Sequence, residues 1–276
     1  MPQTERSDRV RRTIVALTVL GAVGAAFAAS GLFGGTSIPD AAGGAFASDA
    51  TVLAPAGAAF VIWAPIYLGL VLYAVWQFVP AQMAKPVHRA VGYGVAASAL
   101  LNAVWILCVL AWRIAESFVI IVLLLGVLLV TFVRVCRRPR RGTIAEIVLV
   151  DGMIGLYLGW ITVAAVANLA AWLADIGVAG WDAAPGTPAT VALVAAGLIA
   201  VWTAWRGGRW APAAATGWGL GWLAVARWTE RPEAPVVASV AVALAVIVLV
   251  IAAVRWRTRT RTRTRSAAVP AVGADG

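Results

Sequence analysis

The sequence predicts an all-α protein built as a polytopic transmembrane helix bundle, and three observations carry that class. Hydrophobic residues make up 62% of the 276 positions and charged residues 12%, against roughly 45–50% apolar content in soluble domains. The mean hydropathy is +0.89. Apolar runs of the roughly 20 residues needed to cross a bilayer recur along the chain between short polar breaks. The alternating ten-residue segments of a membrane β-barrel are not present in the pattern.

The elements follow in order. Residues 1–12 form a basic arm with Arg6, Arg9, Arg11 and Arg12, and a first span covers 13–32. Its apolar run exceeds the usual 7–15 residues of a secretory signal core, so we read it as an uncleaved span despite the small-residue stretch "AAFAAS". Further spans are predicted at 57–79, 90–111, 117–136, 146–173, 189–205, 210–226 and 235–254, eight in all. Pro65 falls inside the second, where a missing N–H predicts a kink. The tail 255–276 opens with arginines at every second position from Arg255 to Arg265 and reads as a disordered arm beside the membrane, able to meet anionic headgroups. No base-stacking module accompanies it, so nucleic acid is not an expected partner.

Charge sets the orientation. Lys85, Arg89, Arg137, Arg138, Arg140, Arg141, Arg206 and Arg209 fall in every second connection, whereas the segments 33–56 and 174–188 lack Lys and Arg and carry Asp40, Asp49, Asp175 and Asp182. By the positive-inside rule both termini are cytoplasmic. The reading is a multi-pass protein of a bacterial plasma membrane. Only the loop with Arg227, Glu230, Arg231 and Glu233 fails to discriminate.

Three spans carry stripes of aromatic and polar residues. Phe60, Trp63 and Tyr67 share one face of the second; Ser98, Asn102 and Trp105 one face of the third; Tyr157, Trp160, Ala164, Asn168 and Trp172 one face of the fifth. Polar groups at membrane depth face protein or a cavity, because lipid offers them no partner. Converging stripes predict a ring-lined pocket for a flat, mostly apolar ligand; plain helix packing is the competing reading.

The segments "FVIWAPIYLGLVLYAVWQ", "LLNAVWILCVLAWR" and "LYLGWITVAAVANLAAWL" resemble, in order and spacing, the second, third and fifth helices of the tryptophan-rich sensory protein family (TspO/MBR, translocator proteins). The resemblance covers about residues 11–175. It implies a five-helix membrane domain over 13–175, often homodimeric, that binds porphyrin, haem-related or sterol-like molecules under the loop after the first helix. Trp63, Tyr67, Asn102, Trp105, Trp160, Ala164 and Asn168 would be its ligand-binding positions. The family's Trp-x-Pro-x-Phe loop signature is missing: the loop "FGGTSIPDAAGGAFASDATVLAPAG" holds no Trp. The spans in 189–254 have no counterpart among the five helices, which makes the chain an extended form.

The remaining chemistry is sparse. Cys108 and Cys136 fall at opposite membrane faces, too far apart for a disulfide, and no Cys/His spacing suggests a metal site. His88 reads as a solvated loop residue. Glu146 and Asp151 begin the fifth span and are expected to snorkel or pair with Arg140 or Arg141. Gly155 and Gly159 suit helix contact or dimerisation, and Gly217 and Gly221 in "GWGLGW" suit close helix packing. No nucleophile–base pair, phosphate loop or paired carboxylates point to an enzyme. The expected partners are membrane lipids and a small hydrophobic ligand, a tetrapyrrole first. A transporter and a ligand-free assembly protein are the alternatives.

Overall fold

The computed structural model describes residues 3–29, 41–138, 142–178 and 187–267. Within them the regular structure is helical. The long helices are α1 (Gln3–Ala29), α2 (Trp63–Trp76), α3 (Pro86–Leu110), α4 (Ile114–Cys136), α5 (Ile144–Asp175), α6 (Thr187–Gly207), α7 (Trp210–Thr229) and α8 (Pro235–Ala267). Seven of these, α2 taken together with the 3-10 segment that leads into it from Gly57, are long and apolar enough to span a membrane. The eighth, α7, is rich in Gly, Ala and Thr because much of its surface meets neighbouring helices instead of lipid.

The first five helices close into a ring, α1 beside α2 and α3, α3 beside α4, α4 beside α5, and α5 beside α2. The last three form a second layer. α7 lies along α5, α8 along α7, and α6 along α8. Close approach of α5 and α7 depends on missing side chains: a Cβ on Gly159 would stand 2.3 Å from the Pro212 carbonyl oxygen, and one on Gly155 2.7 Å from the Pro212 ring. These glycines therefore serve helix contact within the chain. In "GWGLGW" the tight glycine is Gly219, against Val163; Gly217 meets Leu249 at ordinary distance and Gly221 has open space around it, so the expected Gly217/Gly221 pair is corrected.

Several boundaries differ from the sequence expectation. α1 begins at Gln3, so the basic arm is the first turns of the helix. Asp8 makes this possible: it accepts from Arg89 Nε at 2.9 Å and lies 3.2 Å from Arg11, neutralising charge where α1 packs on α3. Pro65 does not kink a helix interior. It sits in the first turn of α2, after a 3-10 segment at Gly57–Ile62, where an α-helix has no N–H bond to lose. α8 continues to Ala267, so the first part of the tail read as disordered is helical. Asp40, Asp182, Arg140 and Arg141 lie outside the described residues.

His88 is also corrected. Pro86 starts α3 two residues before it, and its first turn carries the imidazole into the interior, fully buried between the rings of Tyr73 and Trp76, with Nδ1 3.3 Å from the Tyr73 hydroxyl. Cys108, in the last turn of α3, and Cys136, the last residue of α4, are free thiols.

Candidate functional site

The three stripes meet inside the five-helix ring. Trp63 is the hub: its indole stacks on Tyr67 (5.1 Å, 18°) and on Trp105 (6.4 Å, 27°), and meets Tyr157 and Trp160 edge-on at 5.8 and 6.2 Å. Phe60 adds an edge contact to Trp160 at 5.5 Å. Such offset and T-shaped pairs are the arrangements that ring quadrupoles favour.

The amides tie these rings to particular helices. Trp105 Nε1 donates to Asn168 Oδ1 at 2.9 Å, and Ser117 donates to the same oxygen at 3.4 Å, joining α3, α4 and α5. Asn168 Nδ2 returns to the Ala164 carbonyl one turn back, at 2.9 Å. Asn102 Nδ2 donates to the Tyr67 hydroxyl at 3.1 Å, and the Tyr157 hydroxyl donates to the Ser98 carbonyl at 3.2 Å. Within this cluster of rings and amides, two buried polar atoms have no partner: Trp160 Nε1, a donor, and Asn102 Oδ1, an acceptor.

Trp63, Trp105, Trp160, Ala164 and Asn168 line one cavity. Tyr67 and Asn102 do not; they stand behind Trp63. The free volume is only about 20 Å³, room for a single water. As folded, the rings fill the space themselves.

A lid covers this cavity. The segment 41–56, after α1, brings Ala45, Phe46, Ala54 and Pro55 onto the lining, and Phe46 meets Trp105 at 6.1 Å. Sequence reading missed these residues, although Phe46 is the one ring in a stretch of small residues. The second helix layer fastens the lid. Arg227 of α7 donates to the Ser48 carbonyl and to the Pro232 carbonyl, the latter at 2.8 Å. Ala56 N–H donates to the Trp222 carbonyl at 3.2 Å, and Trp218 Nε1 to the Ala59 carbonyl at 2.9 Å. Leu53 is fully buried in the core shared by α5, α6, α7 and α8. From the other side, the Trp112 ring lies against Gly43, whose φ of +65° and bare Cα leave room for it.

The acidic residues of α5 find partners other than those expected. Asp151 accepts from Arg209 Nε at 2.9 Å, and Glu146 pairs with Lys85 at 2.9 Å and Arg138 at 3.5 Å. They close one end of the bundle, where Asp8–Arg89 and the contact of Arg255 Nε with the Trp205 carbonyl at 3.0 Å also lie. Among the described residues no three His, Cys, Asp or Glu side chains converge as a metal site.

A family model described as TSPO-like protein matches residues 13–254. The match runs through all eight helices, so the last three lie inside the matched region. No curated protein and no solved structure gives a match.

Proposed function

From membership of the chain in the TSPO-like protein family, we propose that it binds a flat, mostly apolar molecule, a tetrapyrrole such as a porphyrin or haem before a sterol, between the ring cluster and its lid. One observation carries the reading: a lid-covered cluster in which the rings of Tyr67, Trp105, Tyr157 and Trp160 each contact Trp63 contains an unpartnered donor, Trp160 Nε1, and an unpartnered acceptor close behind, Asn102 Oδ1. Apolar rings that leave two hydrogen-bonding atoms unspent suit a planar ligand with a polar edge.

The small free volume decides how binding must proceed. Drug-sized ligands occupy cavities of about 300–1,000 Å³, so the lid has to lift and the half-buried Trp63 ring to swing before a macrocycle enters. The same small volume favours a second reading, in which the rings are packing alone. Titration of the detergent-purified chain with protoporphyrin and with haem, followed by tryptophan quenching, separates the two. We expect Trp63→Ala and Trp160→Ala each to weaken binding about tenfold, ~1.4 kcal/mol, with the bundle still folded. Trp228→Ala, at the exposed end of α7, should bind as the parent does. No quenching in the parent, or equal affinity in all variants, leaves packing as the role of the rings.

Sensing, regulation and transport are the uses to which such a site is put in this proposal, and no catalytic step is assigned to it. Orientation with both termini cytoplasmic, in a bacterial plasma membrane, belongs to the same reading. So does a homodimer, which has to use a face other than Gly155–Gly159, because α7 covers that one.

A further inference from the structure

A second cavity, of about 620 Å³, lies outside the five-helix ring between α2, the start of α5 and the start of α7, with Trp256 of α8 at its rim. Its volume is in the range of small-molecule sites, and it shares no residue with the ring cluster. The local backbone makes it. Residues Ile147–Gly152 form a π-helical turn, which widens the helix at the cavity wall. Leu68, Leu72 and Val148 on that wall are 60%, 45% and 57% exposed, so the opening faces lipid.

The chemistry is polarised. The wall is apolar apart from one ion pair, Asp151–Arg209, whose guanidinium is only 5% exposed and is also held by the Val135 carbonyl at 3.2 Å and Cys136 Sγ at 3.4 Å. Trp210 and Trp256, each 43% exposed, flank the rim, where amphipathic rings sit at headgroup depth. The charged lining is the Asp151–Arg209 pair alone; beside it in the chain, Trp256 stands between Arg255, whose Nε donates to the Trp205 carbonyl of α6 at 3.0 Å, and Arg257.

We propose that this cavity is a lipid site: it takes one acyl chain of an anionic phospholipid, with the phosphate drawn to the arginines on either side of Trp256 in α8. An apolar trough with an indole-flanked mouth, next to arginines of the same helix, complements that molecule at both ends. A polar metabolite would leave its groups unpaired against the wall. A second copy related by a twofold axis would bring the same arginines face to face. The inference does not rest on the ring cluster binding a ligand.

The test is native mass spectrometry of the full chain in mild detergent, supplied with phosphatidylglycerol or phosphatidylcholine of the same acyl chains. One phosphatidylglycerol should be retained per chain, about tenfold in preference to phosphatidylcholine. Leu72→Trp and Val148→Trp, which fill the trough from exposed positions, should each cut that retention about tenfold, and the double change Arg255→Gln with Arg257→Gln should erase the preference for the anionic lipid. Leu123→Trp, on an exposed face of α4 away from the cavity, should retain lipid as the parent does, with all variants matching its thermal unfolding. Equal retention of the two lipids by the parent, unchanged retention in both filled variants, or a dimer that Val148→Trp dissociates would each overturn the proposal.

Discussion

Asn168 and Asn102 look alike in the sequence but do different work. Asn168 is 2% exposed and links Trp105 of α3, Ser117 of α4 and its own backbone carbonyl at Ala164. Replacing it with Leu leaves the Trp105 N–H buried without an acceptor, a cost of about 1–3 kcal/mol. Asn102 makes one bond, to Tyr67, and already carries an unpartnered oxygen. Thermal unfolding in detergent should therefore show Asn168→Leu clearly less stable than Asn102→Leu, whereas tetrapyrrole affinity should suffer in both. Equal unfolding temperatures would mean that the Asn168 bonds do not hold the ring cluster together.

At the scale of elements, two of the contacts that join the second layer to the first can be tested separately. The α5–α7 seam depends on Gly159: with the Pro212 carbonyl oxygen 2.3 Å from where a Cβ would stand, a side chain has to push backbone aside. We expect Gly159→Leu to separate the layers at a cost of about 1–3 kcal/mol or more, and Gly221→Leu, pointing into open space, to fold like the parent; comparison of expression and unfolding in detergent checks the pair. The second contact is the lid. Because Arg227 bridges α7 to the Ser48 carbonyl, Arg227→Ala should loosen residues 41–56. In a chain carrying Ser48→Cys with both native cysteines replaced by Ser, maleimide labelling of position 48 should speed up severalfold when Arg227 is removed. An unchanged rate would show that the other contacts, Leu53 packing among them, hold the lid without Arg227.

For the whole molecule, the chain places the ion pairs Asp8–Arg89, Lys85–Glu146 and Asp151–Arg209 at one end, and the lid and the exposed Arg113–Glu116 pair at the other. If that basic end is cytoplasmic, as the positive-inside rule requires, reporter fusions after residues 40, 85, 140, 182 and 270 should read outside, inside, inside, outside, inside. A C-terminal reporter on the outer side would overturn the eight-span topology. The sequence by itself determined the bundle, because apolar runs near 20 residues admit no other backbone solution in lipid, and helical spacing put the aromatic and amide residues of α2, α3 and α5 on single faces. It also carried the family resemblance, since that rests on residue spacing within helices. Tertiary structure alone decided which stripes touch, that the rings close on one another with room for only a water, and that His88 is buried. It also decided that Asp151 pairs with Arg209, 58 positions away, and that α7 fastens the lid. Each of these depends on which helices become neighbours, and neighbour choice is settled by glycine gaps and buried polar pairing between distant segments, a relation that periodicity within any one helix does not contain.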